Sequence, residues 1–464
     1  MLRCFLCGLQ RGAGCGIIKT SFEKVDASME KTKKSPKFWI ALVIFSLVGQ
    51  VAWVMENMYF NVFIYKMFHA SAQAISGMVS ASAVAATVTT LLIGALSDKI
   101  GKRKLFICGG YLAWGVSILS FCLIRTDVIN ALFPAAASAA SVGVTLVIIM
   151  DCVMTFFGSS ANDAAFNAWL TESTDETNRG AVEGINAMMP LMAILVVFGG
   201  FMGCDQNLPQ TWTLIFAVIG GVVFLMGILG FFLITETKVD TRGNENYFAN
   251  LFYGFRPKVI GANKTLYMSL LAYAVFGISI QIFMPYLILY YNVALGMDNY
   301  VLIFAPAIIL AAAFTAFYGK LYDRKGFRAS VIPTITLLMA GYVILYFFRN
   351  TAVVFVGTLV MLCGYLSGMA VFGAMLRDYT PENKAGMFQG QRIVGQVLIP
   401  GIIGPAIGAA VLKNAETIVG DDGTTSFIPN ENIFLAAFVA AVFIWLVFIP
   451  LFKMTGKDRK ENAE

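Results

Sequence analysis

The chain has 464 residues, 58% of them hydrophobic and 13% charged, with a formal net charge of +6. That is more apolar surface than a soluble fold of this length can hide, which excludes a water-soluble enzyme or binding module and points to a polytopic membrane protein. The positive balance calls for no nucleic-acid partner, because contact with anionic membrane lipid accounts for it.

In chain order, the first 28 residues are irregular. They carry Cys4-x-x-Cys7 and Cys15, but the one histidine, His69, lies in a distant loop, so no metal site is expected. The stretch from Met29 to Trp39 is an ordinary basic lead into a first span, and Met29 is a candidate translation start. Apolar stretches of the length needed to cross a bilayer then fall near 39–65, 74–97, 104–124, 139–167, 182–204 and 211–235, and again near 265–291, 300–321, 329–348, 351–376, 386–412 and 431–453. With both termini cytoplasmic, only Lys66, Arg125, Arg349 and Lys413 of the 33 basic residues fall outside, as retention of Lys and Arg in cytoplasmic loops requires. The expected organisation is a cytoplasmic tail (1–37), a six-helix bundle (38–235), a cytoplasmic linker (236–264) that includes Lys238 and Arg242, a second bundle (265–453) and a tail (454–464). The external stretch 413–430 reads as a solvated connector. The cysteines within spans read as small buried apolar residues.

Polar residues inside the spans are the candidate sites, since such groups are costly in lipid. In span 1, Gln50, Trp53, Asn57 and Asn61 fall within about 80° of arc on a regular helix. Amides that donate and accept beside a flat indole suit a sugar, whose hydroxyls alternate with C–H faces; interhelical hydrogen bonding is the plain alternative. Glu56 in span 1 and Asp151 and Asp163 in span 4 have no Lys or Arg at mid-membrane to neutralise them. A carboxyl in a partly dry cavity can take up a proton and release it once wetted, so these three are candidates for proton coupling, Glu56 first. Asp163 and Asn167 are neighbours at i, i+4, and Asp163 could bind substrate hydroxyls or cap structure near the cytoplasmic end. Span 7 offers Gln281, then Pro285, which should kink the helix, then Tyr286 and Tyr290 as gate or interfacial belt residues. Arg392 at the start of span 11 could pair with a carboxylate or snorkel to the interface.

Two motifs occur once per half in the same order. Gly94-x-x-x-Asp98-x-x-Gly101-x-Arg103 after span 2 matches Gly319-x-x-x-Asp323-Arg324-x-Gly326-x-Arg328 after span 8. The glycines permit close helix contact and a tight turn, and each aspartate can bond a neighbouring helix end or a basic side chain in one conformation only, which makes a latch. The second motif, Ala168-x-Leu170-x-Glu172-x-Thr174-x-Glu176, aligns without a gap with Ala374-x-Leu376-x-Asp378-x-Thr380-x-Glu382. Because 225 residues separate Asp98 from Asp323 but 206 separate Ala168 from Ala374, the first half holds extra residues, assigned to an enlarged connection at 125–138. A tandem duplication in so apolar a chain suggests a transporter of two pseudo-symmetric halves around a central site.

The first motif resembles the signature loop of the major facilitator superfamily, present at both expected positions. The resemblance implies an all-α membrane fold of twelve helices in two six-helix bundles that rock about a midplane site. Within it, Asn162 to Thr174 and Leu376 to Glu382 are similar to the glycoside–pentoside–hexuronide cation symporters and the sucrose-transporter-like group. That similarity implies a sugar-binding role for Asp163, whereas the group's paired span-2 aspartates for sodium have no counterpart between Val84 and Leu96. The expectation is a secondary transporter importing a sugar or glycoside with a proton, acting as a monomer in the plasma (inner) membrane and needing no cofactor. Sodium is the second candidate ion, and an exporter of amphipathic compounds the alternative. No clustered nucleophile and base, and no nucleotide-binding loop, points to an enzyme or a pump.

Overall fold

The computed structural model describes residues 34–134, 138–174, 178–236, 252–380, 388–419 and 424–461. Cys4, Cys7, Cys15, Met29, Lys238, Arg242, Glu176 and Glu382 lie outside them. Twelve helices are long and apolar enough to cross a membrane: Pro36–Phe68, Ala72–Ser97, Arg103–Leu123, Ala139–Glu172, Ala181–Phe201 and Pro209–Leu233, then Lys264–Ala294, Val301–Gly319, Phe327–Phe347, Thr351–Tyr379, Gly390–Val411 and Asn432–Thr455. Being even in number, they return both chain ends to one face, the terminal face; the other is the distal face.

Local chemistry sets the ends of these helices. Ser35, Ser71, Ser138 and Asn350 cap spans 1, 2, 4 and 10 by accepting a backbone N–H from the first turn. Gly101 ends span 2 in the left-handed conformation at φ 69°, so the tight turn after the first motif is real. The enlarged connection after span 3 holds a short helix, Thr126–Leu132, where the second half has three residues between Phe347 and Thr351.

The duplication is visible in the packing. Span 1 lies against spans 5 and 6, span 2 against 4, and span 3 against 6; correspondingly span 7 lies against 11 and 12, span 8 against 10, and span 9 against 12. These contacts make two six-helix bundles of the same internal plan. Large apolar side chains such as Leu225, Phe232, Phe317 and Leu446 are left exposed on the outside, where lipid covers them.

Four spans are not continuous α-helices. π-helical segments interrupt span 1 (Met55–Tyr59), span 4 (Ser159–Phe166), span 7 (Tyr290–Ala294) and span 11 (Val394–Leu398). In span 7, Pro285 adds a 3-10 turn at Met284–Tyr286, the expected kink. Each widened turn shifts the faces that follow it, so an arc calculated for a regular helix does not hold beyond Met55.

The halves are clasped at the distal face. Span 2 packs on span 11 and span 5 on span 8, with Gly401 so close to Ala83 of span 2 that any side chain there would clash. The connector after span 11 is not free in solvent. Its strands Thr417–Val419 and Thr425–Phe427 form a hairpin that reaches the other half. Tyr65 donates to the Phe427 carbonyl at 2.6 Å, and the His69 ring lies between Ser426 Oγ at 2.8 Å and Thr424 Oγ1 at 3.0 Å. On the terminal face an exposed ion pair, Arg377–Glu183 at 3.3 Å, links the halves.

Candidate functional site: a buried carboxyl cluster and its surroundings

The π segment of span 1 carries Glu56 into the first bundle, where it is 6% exposed. Its Oε1 accepts from Ser82 Oγ of span 2 at 2.5 Å and from Thr155 Oγ1 of span 4 at 2.8 Å, and the two hydroxyls are 2.9 Å apart. Its Oε2 is buried with no partner. Asp151, one turn before Thr155, is 1% exposed and its Oδ1 is likewise unpartnered. Asp151 lies within electrostatic reach of Glu56, and Glu56 within reach of Asp163. Asp163 stands in the π segment of span 4, half-buried, and accepts from Ser159 Oγ at 3.0 Å. The three acids therefore form a string of carboxyls in the first bundle, Glu56 and Asp163 held by hydroxyls and Asp151 beside Glu56 without a hydroxyl of its own. Ser82, Thr155 and Ser159 were not singled out from the sequence. The available signal was Thr155 and Ser159 at i+4 and i+8 from Asp151, which puts them beside it on one helix face.

The amides of the span-1 stripe are partly used by the helix itself. Asn57 Nδ2 donates to the Trp53 carbonyl at 2.8 Å and Asn61 Nδ2 to the Asn57 carbonyl at 3.0 Å, on either side of the loosened turn. Asn167 does the same for Asp163 in span 4, at 3.2 Å. Side-chain donors here satisfy carbonyls that a π turn weakens, a need that is acute in lipid. Asn57 and Asn167 remain exposed, whereas Asn61 is buried with an unpartnered Oδ1. Gln50 is half-buried, and the Trp53 ring packs 5.1 Å from that of Trp114. Asn162 turns inward and donates to Tyr111 at 2.8 Å.

The second-half candidates separate. Gln281 is half-buried against Gly404. Tyr286 belongs to the clasp, because its hydroxyl donates to the Ala72 carbonyl of the other half at 2.9 Å. Tyr290 packs its ring on Tyr291 and Phe434 within the second bundle.

In the motif region, Arg103 is 3% exposed and fully used: Nη2 and Nε reach Glu172 Oε1 at 2.6 and 3.0 Å, and Nη1 reaches Ser97 Oγ at 2.5 Å. It staples the ends of spans 2, 3 and 4. The matching positions in the second half are bridged differently: Tyr322, the counterpart of Ser97, donates to Asp378, the counterpart of Glu172. Arg328 is free to lie over the Phe452 ring at 5.1 Å, and Arg324 is exposed. Gly94 is half-buried, and the side chains of Asp98 and Asp323 lie outside what is described. Gly326 turns the chain at φ 75°. Gly319 does not make the close contact expected of it; a Cβ there would meet open space. Arg392 of span 11 is half-buried and has a buried, unpartnered Nε. Two cavities on the distal face, of about 350 and 420 Å³, are lined by none of these candidates.

A family model for the Major Facilitator Superfamily matches residues 38–405. No curated protein matches the chain. Among solved structures, the fold is similar to a nucleoside transporter, NupG (TM-score 0.62, 14% identity, over 89% of this chain and 98% of that one). It is also similar to the xylose transporter XylE from E. coli in a partially occluded inward-open conformation (TM-score 0.64, 12% identity, 88% and 98%), and to a D-xylose–proton symporter (TM-score 0.66, 12% identity, 88% and 97%). At such identities the likeness speaks for the fold alone.

Proposed function

The chain belongs to the major facilitator superfamily, and on that premise we propose that it is a secondary transporter that carries a sugar or glycoside together with a proton by alternating access. The observation that carries the coupling is Glu56: a buried carboxyl with two hydroxyl donors on one oxygen, nothing on the other, and, among the described residues, no cation beside it. Burying a charge without a counter-charge is costly, and a proton taken up at Oε2 removes that cost. Asp163, less buried and in reach of Glu56, offers the route by which the proton leaves. With the terminal face cytoplasmic in the plasma membrane, the distal clasp closes the outside, and the conformation is the one that releases cargo inward. The exposed amides Asn57 and Asn167 and half-buried Gln50 and Gln281 support a polyhydroxyl cargo, as does the resemblance of the span-4 motif to sugar symporters. An exporter of amphipathic compounds would favour an aromatic and methionine lining, which these residues do not supply.

The test is uptake of radiolabelled mono- and disaccharides into proteoliposomes under an imposed pH or sodium gradient. The reading expects accumulation driven by an acid exterior, with Asp163→Asn reducing it at least tenfold. Failure of every sugar to be taken up or to compete, alongside efflux of a cationic dye, would overturn it in favour of the exporter.

A further inference from the structure

Arg392 is a fixed positive charge in the first turn of span 11, and no residue among those described neutralises it. Its Nε is buried without an acceptor, and among the described residues its guanidinium takes part in no ion pair. The neighbours acting on it are Tyr273 of span 7 and a second cation, Arg377 of span 10, which is itself engaged with Glu183. Of the acids of the first bundle, Glu56 and Asp163 are bonded to Ser82, Thr155 and Ser159, and Asp151 lies beside Glu56. The surroundings hold Arg392 and its partner in place: Tyr273 stacks on Phe372 with rings 5.4 Å apart and 3° from parallel, its hydroxyl points to Met369 Sδ at 3.1 Å, and Tyr365 of span 10 lies beside it. A guanidinium with a buried donor left unpaired is expensive, and a position serving only structure would be met by a carboxylate or an apolar side chain.

We propose that Arg392, with Tyr273 beside it, receives an anionic oxygen group of the cargo, a carboxylate or a phosphate, so that the transported solute is an acid rather than a neutral sugar. This rests on the transport reading above and narrows its substrate class. A guanidinium presents paired donors that match either anion, and a tyrosine hydroxyl can supply a third. The acids in the first bundle and the cation in the second then divide the work between proton and cargo.

The experiment measures thermal stabilisation of the purified full-length chain in detergent at fixed ionic strength by glucose, glucuronate, glucose 6-phosphate and succinate. The proposal expects at least one anion to bind the wild type about ten- to a hundredfold more tightly than glucose, that preference to vanish in Arg392→Gln, and part of it to return in Arg392→Lys. It is overturned if no anion shifts the wild type more than it shifts Arg392→Gln, or if glucose alone stabilises both equally, which would leave the sugar reading standing. Succinate acting where neither sugar acid does would sustain the anion site and sink the sugar.

Discussion

Glu172 and Glu183 illustrate how burial decides what a charge is worth. Glu172 closes on Arg103, whose side chain is 4% exposed, whereas Glu183 meets Arg377 with both side chains more than half exposed. Removing Glu172 leaves a guanidinium stranded, so Glu172→Ala should destabilise the protein by about 3–5 kcal/mol, while Glu183→Ala should cost no more than about 1 kcal/mol. Chemical unfolding of the two purified variants checks this, and equal midpoints would contradict it. The polar residues Glu56, Asp151, Asp163 and Arg392 stood out in the sequence because lipid makes them costly. What they touch did not. Ser82 and Thr155 are ordinary small residues until two spans bring them to one carboxylate oxygen, and no spacing along one helix reveals a contact between three.

The length of the apolar runs places all twelve spans to within a few residues, because an apolar run of membrane length has few other fates. Regular periodicity fails where the helices are irregular. The arc drawn through Gln50, Trp53, Asn57 and Asn61 assumed 3.6 residues per turn, and the π turn at Met55–Tyr59 re-aims the last two, whose amides then repair the backbone. Polar composition makes the stretch after span 11 look like a plain connector; its role comes from contacts with the end of span 1, far away in sequence. If that hairpin clasps the distal face, a disulfide between His69→Cys and Ser426→Cys, in a chain otherwise free of cysteine, should arrest transport until it is reduced. Undiminished uptake by the oxidised protein would rule the clasp out. Span 11 should be equally sensitive: Gly401→Leu collides with Ala83 of span 2, and the distal seal should loosen. Ser80→Cys would then react faster with a membrane-impermeant thiol reagent added from the distal side, and an unchanged rate would show that the seal does not depend on close packing there.

At the scale of the molecule, the two bundles share a packing plan, so one can rock on the other while each stays whole. The repeat departs from symmetry in its chemistry: Arg103 with Glu172 in one half corresponds to Tyr322 with Asp378 in the other, the buried acids Glu56 and Asp151 lie in the first bundle, and Arg392, whose Nε is unpartnered, lies in the second. On the proposed transport reading, the duplicated part accounts for motion, and the unduplicated part for what is moved and what drives it. That division predicts that loss of Glu56 uncouples transport without stopping it, because the rocking bundles and the cargo contacts remain. The direct measurement compares wild type and Glu56→Gln in proteoliposomes, recording both pH-gradient-driven accumulation and gradient-free exchange of the same labelled solute. The account predicts that Glu56→Gln loses accumulation at least tenfold yet keeps exchange within about twofold; accumulation that survives in Glu56→Gln at the wild-type level would contradict it.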